Sequence, residues 1–189
     1  ICSGPRHGKQ FTYALLDERV PAAPPMAEDE AVAALAARYF QSHGPATLRD
    51  FVWWSGLTVR QARAGVQACG IEPLATPRAP LRHPGATFLL PNYDEYLVAY
   101  RDRAAVVDPT RARNLGVFTS QELPHQLIVD GRVAGSWRRT ISDTSLFIEV
   151  QCYTPLTRSQ RHLVQKHAAR YAECLGVTGR LHISDERIK

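Results

Sequence analysis

Apolar residues between positions 29 and 69 recur at intervals of three and four, which is the spacing of amphipathic helices. The pattern predicts a first helix over Asp29–His43. Thr47 then stands as the N-cap of a short helix over Leu48–Trp54, and Thr58 caps a third helix over Val59–Cys69. This succession, with a glycine in the turn between the second and third helices, is the helix-turn-helix signature of DNA-binding proteins. The same succession also occurs as plain three-helix packing.

Beyond residue 86 the pattern changes to the alternation that is typical of strands, which are predicted over 87–90, 126–129, 132–137 and 145–153. Asp130-Gly131 joins the second and third of these runs and predicts a hairpin, because both turn positions need positive φ. Consecutive antiparallel strands predict a small meander or half-barrel. A closing helix is predicted over Ser159–Leu175, with a loose polar tail to Lys189.

These elements predict an α+β protein in which a winged-helix (helix-turn-helix) unit precedes a small antiparallel β-rich region and a closing helix. Residues 1–25 hold a predicted strand over Gln10–Leu16 and a stiff proline-rich linker, and we interpret them as the end of a preceding unit. The winged-helix domain is assigned to residues 26–86, although four prolines between 71 and 84 interrupt any regular strand pair there. The β-rich domain with its C-terminal helix is assigned to residues 87–189.

The composition is that of an ordinary globular protein, with 44% hydrophobic and 22% charged residues among 189. No apolar run approaches the roughly 20 residues of a membrane-spanning helix, and no signal-peptide pattern is present, so a cytoplasmic protein with no membrane partner is expected. The four cysteines are widely spaced with no Cys-x-x-Cys pair, and neither a metal site nor a cofactor is predicted. No dimerisation helix stands out, so a monomer is expected.

The net charge of +5 comes mostly from arginine, of which there are 20 against three lysines. Guanidinium groups fork onto phosphates and stack on bases, so the imbalance favours a nucleic-acid partner. A GC-rich genome explains the same imbalance without any partner. Motifs for acyl transfer, dinucleotide binding, nucleotide hydrolysis and metalloproteolysis are all missing from the sequence.

Three groups of residues are candidates for contact with DNA. The third helix presents Thr58, Arg60, Gln61 and Arg63 at its start, where a recognition helix would contact base edges or phosphates. The segment 89–103 carries carboxylates and tyrosines with Arg101 and Arg103, and it is interpreted either as a phosphate-binding site or as an internal ion-pair and tyrosine network. The hairpin contributes Arg132, Trp137, Arg138 and Arg139, interpreted either as groove contacts or as a core tryptophan flanked by solvated arginines.

The blocks Asp-Glu-Tyr at 94–96 and Gly-Ser-Trp-Arg at 135–138, after a helix-turn-helix and before a closing helix with Leu-Gly, resemble one family. It is the winged helix DNA-binding domain proteins that include the AlkZ-like DNA glycosylases, and the resemblance runs from about Gly4 to about Gly176. It implies tandem winged-helix units with a barrel-like part around duplex DNA, and an activity on bulky alkylated bases and interstrand crosslinks. This sequence would correspond to the later, carboxy-terminal half.

The family's glycosylase motif is Gln-x-Gln, or His-x-Gln in some members, in the amino-terminal half. This sequence has neither, so no catalytic residue is assigned and the question of enzyme activity stays open. The resemblance implies the DNA-binding portion of a glycosylase-like repair protein, with double-stranded DNA as a weakly sequence-specific partner and the chemistry in an amino-terminal half outside this sequence. The alternatives are a non-catalytic scaffold or interaction module and a transcriptional regulator.

Overall fold

The computed structural model describes residues 1–8, 10–75, 85–107 and 124–185. Its helices, numbered in chain order, are α1 (Leu16–Arg19), α2 (Glu28–His43), α3 (Leu48–Ser55), α4 (Val59–Ala68), α5 (Glu95–Val98) and α6 (Arg158–Leu175). Its strands are β1 (Cys2–Ser3), β2 (Tyr13–Ala14), β3 (Thr87–Leu90), β4 (His125–Val129), β5 (Arg132–Ile141), β6 (Ser145–Cys152) and β7 (Thr178–Asp185).

The three predicted helices are present as α2, α3 and α4, with bounds within one residue of those expected. Both predicted N-caps are confirmed: Thr47 and Thr58 each form a full capping box, in which the cap side chain and the third helical residue satisfy each other's backbone N–H groups. The glycine at position 65 lets α2 and α4 cross closely, because a Cβ there would lie 2.6 Å from Val32 Cγ1. Val59, the first residue of α4, is 54% exposed although it is apolar.

These helices enclose one hydrophobic cluster, built on the buried side chains Ala36, Tyr39, Ala46, Phe51, Ala62 and Val66. Between α4 and residue 75, the chain forms one isolated β-bridge, which pairs Leu74 with Thr47 in parallel. The segment where the wing of the predicted winged helix would lie, residues 76–84, is outside the described residues.

The second hydrophobic cluster lies between a five-stranded sheet, in the order β3-β4-β5-β6-β7, and the helix α6. The first four strands are antiparallel, as predicted. The pairing of β7 with β6 is parallel, so the sheet is mixed, and the prediction of a purely antiparallel region is wrong. The expected loose tail is also wrong over Thr178–Asp185, which forms β7 after α6 has crossed the sheet face.

The Asp130-Gly131 turn is confirmed, with φ values of 50° and 77°. It does not project into solvent. The carboxylate of Asp130 accepts a hydrogen bond from the backbone N–H of Gly85 at 2.6 Å, and the hydroxyl of Tyr96 donates to the carbonyl of Gly131 at 2.8 Å. The predicted exposed hairpin is therefore held against the rest of the fold at its turn.

The first 26 residues differ from the prediction. The strand expected over Gln10–Leu16 is reduced to Tyr13–Ala14, paired with Cys2–Ser3, and the following residues form the short helix α1. Many large apolar side chains of this segment are exposed: Ile1, Phe11, Tyr13, Leu15, Leu16, Val20 and Met26. Among the described residues, the neighbouring strand β1 is only two residues long, so the local alternation has no partner that would support a longer strand.

Residues 91–107, which we call the connector, join the two clusters. On the helical side, the hydroxyl of Tyr39 donates to the carbonyl of Ala99 at 3.0 Å, and the hydroxyl of Tyr100 donates to the carbonyl of His43 at 2.9 Å. On the sheet side, Val133 N–H donates to the carbonyl of Val106 at 2.9 Å. Burial raises the pKa of Tyr100 and of Tyr39, so both hydroxyls keep their protons at neutral pH and act as hydrogen-bond donors.

Within the described residues, none of the helices has both the length and the apolar character needed to cross a membrane.

Candidate nucleic-acid interface

The start of α4 carries four of the residues predicted to contact DNA, and the structure separates them into two kinds. The hydroxyl of Thr58 accepts from the N–H of Gln61, and the Gln61 side-chain oxygen accepts from Thr58 at 3.1 Å. The Gln61 amide also donates to Glu28 at 3.2 Å. Thr58 and Gln61 are therefore occupied in capping the helix, whereas Arg60 and Arg63 extend from its exposed face.

Arg60 lies on the groove between α2 and α4, which has a volume of about 370 Å³. Glu28 and Asp29 line the same groove, at the acidic first turn of α2. The carboxylates of Glu28 and Asp29 partly neutralise the positive charge of Arg60, and they would repel a phosphate from this groove. We therefore expect Arg60 to contribute less to binding a polyanion than a guanidinium without acidic neighbours.

Arg63 lies on the other side of α4, in a larger cleft of about 1040 Å³. Arg49 from the first turn of α3 and Arg101 from the connector line the same cleft, which we call the arginine cleft. The carboxylates of Glu72 and Asp102 are also part of its wall. None of the three arginines forms an ion pair within the described part of the chain, so their guanidinium groups stay available to an incoming anion.

Asp50 fixes the geometry of this cleft from beneath. It is 3% exposed, and its carboxylate accepts from the Thr47 N–H at 2.9 Å, from the Thr47 hydroxyl at 2.7 Å and from the Arg101 N–H at 2.9 Å. The first two bonds cap α3, and the third anchors the connector to that cap. The buried carboxylate thus positions the backbone of Arg101 beside the helix that carries Arg49.

Arg103 occupies a different environment from Arg101, although the two were predicted together. Its Nε donates to the carbonyl of Leu97 at 2.7 Å, and its guanidinium lies over the Trp53 ring at 5.7 Å from the centroid. Burial lowers the pKa of its guanidinium. This geometry supports the internal-network interpretation for Arg103, because its side chain holds the connector against α3.

Trp137 is a core residue, and its assignment to the DNA interface is corrected here. It is 6% exposed, its indole N–H donates to the carbonyl of Leu90 at 2.8 Å, and its ring meets that of His125 at 4.5 Å between centroids. A ring enclosed in this way has no free face on which a base can stack. The alternative interpretation, in which Trp137 anchors the core, is the one that its environment supports.

Arg138 and Arg139 point to opposite faces of the sheet, because neighbouring strand residues alternate. Arg138 forms a two-pronged ion pair with Glu149 on the next strand, at 2.7 and 2.9 Å. Arg139 turns toward α6, where its guanidinium contacts the hydroxyl and ring of Tyr171. Arg132 is exposed beside the hairpin turn. The hairpin arginines therefore do not form one surface together, and the charge of Arg138 is already matched.

His125 provides a pH dependence that can be tested. Burial and the neighbouring charge of Arg139 lower its pKa below that of an ordinary histidine. The unfolded chain therefore takes up a proton first, and we expect the free energy of unfolding to fall as pH drops below about 6.5. Urea unfolding at several pH values measures this, with His125→Gln as the comparison. An identical pH dependence in that variant would contradict the assignment.

Arg49, which lies two residues after the N-cap Thr47, was not among the residues predicted from the sequence to contact DNA. Its proximity to Arg63 and Arg101 depends on how α3, α4 and the connector pack, so periodicity alone carried no signal for it. Across the described ranges, no group of three His, Cys, Asp or Glu side chains is placed to hold a metal ion.

Comparison with known proteins identifies the family of the chain. The sequence model of the family described as "DNA glycosylase AlkZ-like" matches residues 1–174. Among solved structures, the chain is similar to the Streptomyces sahachiroi DNA glycosylase AlkZ, with 25% sequence identity and a TM-score of 0.69, over 98% of this chain and 54% of that one. The chain thus spans about half the length of that protein. No curated protein sequence matches it. Because the family match covers most of its residues, the chain belongs to the AlkZ-like DNA glycosylase family of repair proteins.

Proposed function

We propose that this chain is the DNA-binding portion of a glycosylase-like repair protein, and that it holds duplex DNA against the arginine cleft and the exposed face of α4. The observation that carries the proposal is the convergence of Arg49, Arg63 and Arg101 on one cleft from three separate elements, without ion pairs in the described residues. Unpaired guanidinium groups grouped in this way suit phosphate oxygens, which they bind through forked hydrogen bonds.

Residues 26–86 act in this proposal as a winged-helix domain with α4 as its recognition helix, followed by the β-rich domain over 87–189. The separate hydrophobic clusters of α2–α4 and of the sheet with α6 support this division. The side chains of Thr58 and Gln61 are engaged in the capping box of α4. The exposed residues of α4 that remain for contact with DNA are Arg60, Arg63 and Gln67. Contacts from arginine to phosphate carry no sequence information, so binding is weakly sequence-specific.

The substrate class we propose, alkylated or crosslinked DNA, rests on the resemblance to the AlkZ-like glycosylases. The sequence holds no Gln-x-Gln or His-x-Gln, so the group that positions water at the glycosidic bond lies outside these residues. The exposed apolar side chains of the first 26 residues, among them Phe11, Tyr13 and Leu15, support an interface with a further part of the protein. In this proposal that part supplies the chemistry and acts on a destabilised base.

The test is the salt dependence of duplex binding by the chain and by the triple variant Arg49→Ala, Arg63→Ala, Arg101→Ala. Each arginine that neutralises a phosphate releases counterions. The slope of log K against log salt is therefore expected to become shallower by about two to three units in the triple variant. Arg60→Ala alone is expected to reduce the magnitude of the slope by less than Arg63→Ala alone, because Arg60 is the single arginine beside two carboxylates, whereas Arg63 shares its cleft with two further arginines. Fluorescence anisotropy with a labelled duplex at several salt concentrations measures all the slopes.

Arg158→Ala is the matched control, since Arg158 is an exposed arginine at the start of α6, outside the arginine cleft. Its slope should equal that of the unaltered chain. An unchanged slope in the triple variant would remove the arginine cleft from the interface. A chain that binds no duplex even at low salt would overturn the proposed function as a whole.

A non-catalytic scaffold is the second candidate, and one observation favours it for the sheet. Arg138 is paired with Glu149, and Arg139 lies on the opposite face against Tyr171, so the two arginines do not line one surface. The double change Arg138→Ala, Arg139→Ala distinguishes the candidates. Unchanged duplex affinity would assign both side chains to the scaffold, whereas weaker binding at all sequences would place them in the interface.

A further inference from the structure

A second recess lies between the end of β3 and the outer turns of α6, apart from the arginine cleft. Its volume is about 400 Å³, within the range of roughly 300–1,000 Å³ found for ligand pockets. Phe88 and Leu90 form the wall on β3, Arg139 reaches it from β5, and His167, Arg170 and Tyr171 line it from α6. We call this recess the β3–α6 pocket.

One wall of the pocket is an exposed aromatic surface. Phe88 is 50% exposed, and its ring is stacked against that of His167, with 6.4 Å between centroids and 26° between planes. His167 covers one side of the ring, and the rest of Phe88 stays exposed because β3 is the edge strand of the sheet. It therefore offers a flat apolar face to whatever enters the pocket.

Another wall of the pocket is cationic. The guanidinium of Arg139 lies over the Tyr171 ring at 5.4 Å from the centroid, which holds it at the pocket rim. Arg170, which directly precedes Tyr171 on α6, is exposed and also lines the pocket. Within the described residues neither arginine forms an ion pair, and no Asp or Glu lines the pocket. An anion would therefore meet two unmatched positive charges and no opposing carboxylate.

A ligand that fits both walls carries a planar ring and a negative charge at neighbouring positions. We propose that the β3–α6 pocket binds one unpaired DNA nucleotide, with its base stacked on Phe88 and its phosphate held by Arg139 and Arg170. The proposal rests on the proposed function, because a protein that holds damaged duplex DNA meets nucleotides that have left the base stack. Stacking on aromatic side chains tolerates any base, so no sequence preference is required.

The test measures binding of a thymidine tetranucleotide by calorimetry, beside a tetranucleotide of the same charge that lacks its bases. The unaltered chain should bind the thymidine form more tightly. Phe88→Leu, which keeps an apolar side chain but removes the ring, should weaken thymidine binding about tenfold and leave the abasic form unchanged. Arg170→Ala should weaken both forms. Lys166→Ala is the matched control, since it removes a positive charge from an exposed position of α6 outside the pocket.

The outcomes separate this inference from the proposed function. Duplex binding with the salt slope described above, together with equal affinity for the thymidine and abasic forms, would overturn the pocket and leave the function standing. Unchanged affinity for the thymidine tetranucleotide in both Phe88→Leu and Arg170→Ala would also overturn the pocket and leave the function standing. Because Phe88 is half exposed, Phe88→Leu should leave the thermal unfolding midpoint almost unchanged, and this control excludes loss of binding through unfolding.

Discussion

Trp137→Ala is expected to lower the free energy of unfolding by about 3–5 kcal/mol, because it empties the centre of the sheet–helix cluster. The indole spans from β5 to the end of β3, where its N–H donates to the Leu90 carbonyl, and its ring meets Tyr171 edge-on at 6.3 Å between centroids. Alanine leaves that space unfilled and the carbonyl without this donor. Urea unfolding of the variant and the unaltered chain measures the difference.

Trp137→Phe is the matched comparison. It retains an aromatic ring in the cluster but removes the indole N–H, so about 1–2 kcal/mol should be lost. The two variants together separate packing from the hydrogen bond. A loss below about 1 kcal/mol for Trp137→Ala would show that the ring is not a core anchor, and would reopen its assignment to the DNA interface.

Asp50→Ala is expected to cost about 2–4 kcal/mol of stability, since three donors lose their acceptor at a site that is 3% exposed. Thr47 loses the reciprocal half of its capping box, and the Arg101 N–H loses the carboxylate that anchors the connector. Thermal or urea unfolding measures this loss. We expect the same variant to lower the salt slope of duplex binding by less than one unit, because the guanidinium of Arg101 remains but is no longer held in place.

Gln61→Ala gives the matched comparison, because Gln61 is the third helical residue of the α4 capping box, as Asp50 is in the capping box of α3. About 1 kcal/mol should be lost there. The difference between the two variants measures what burial and the bond to Arg101 add to a helix cap. Equal losses in the two variants would show that Asp50 acts only as a cap and does not join the connector to the helices.

The prediction of secondary structure succeeded where hydrogen bonds within a few residues fix the end of a helix or a turn. N-cap threonines and stop glycines mark helix ends through bonds made within a few residues, so the bounds of α2, α3, α4 and α6 were predictable. The Asp130-Gly131 turn was predictable for the same reason. The strand β7 was not, because its parallel partner β6 is reached only after the whole of α6, and its half-buried residues alternate only weakly.

The candidate site divides along the same line. Composition and the helix-turn-helix pattern indicated that arginines would matter, and the outward face of α4 followed from its periodicity. Which arginines remain available is a property of the folded chain. Arg138 is matched by Glu149 from the next strand, and Arg103 is held by a carbonyl and a tryptophan of other elements.

The sequence by itself therefore determined the ends of α2, α3, α4 and α6, the Asp130-Gly131 turn and the excess of guanidinium groups, because these depend on composition or on neighbours along the chain. Only the tertiary structure decided that Arg49, Arg63 and Arg101 share one cleft, that Trp137 is enclosed, and that Phe88 is left half exposed beside Arg170. The physical reason is that charge pairing and burial depend on residues from different elements that meet only in the folded chain. The spacing of residues along the sequence does not show which of them meet.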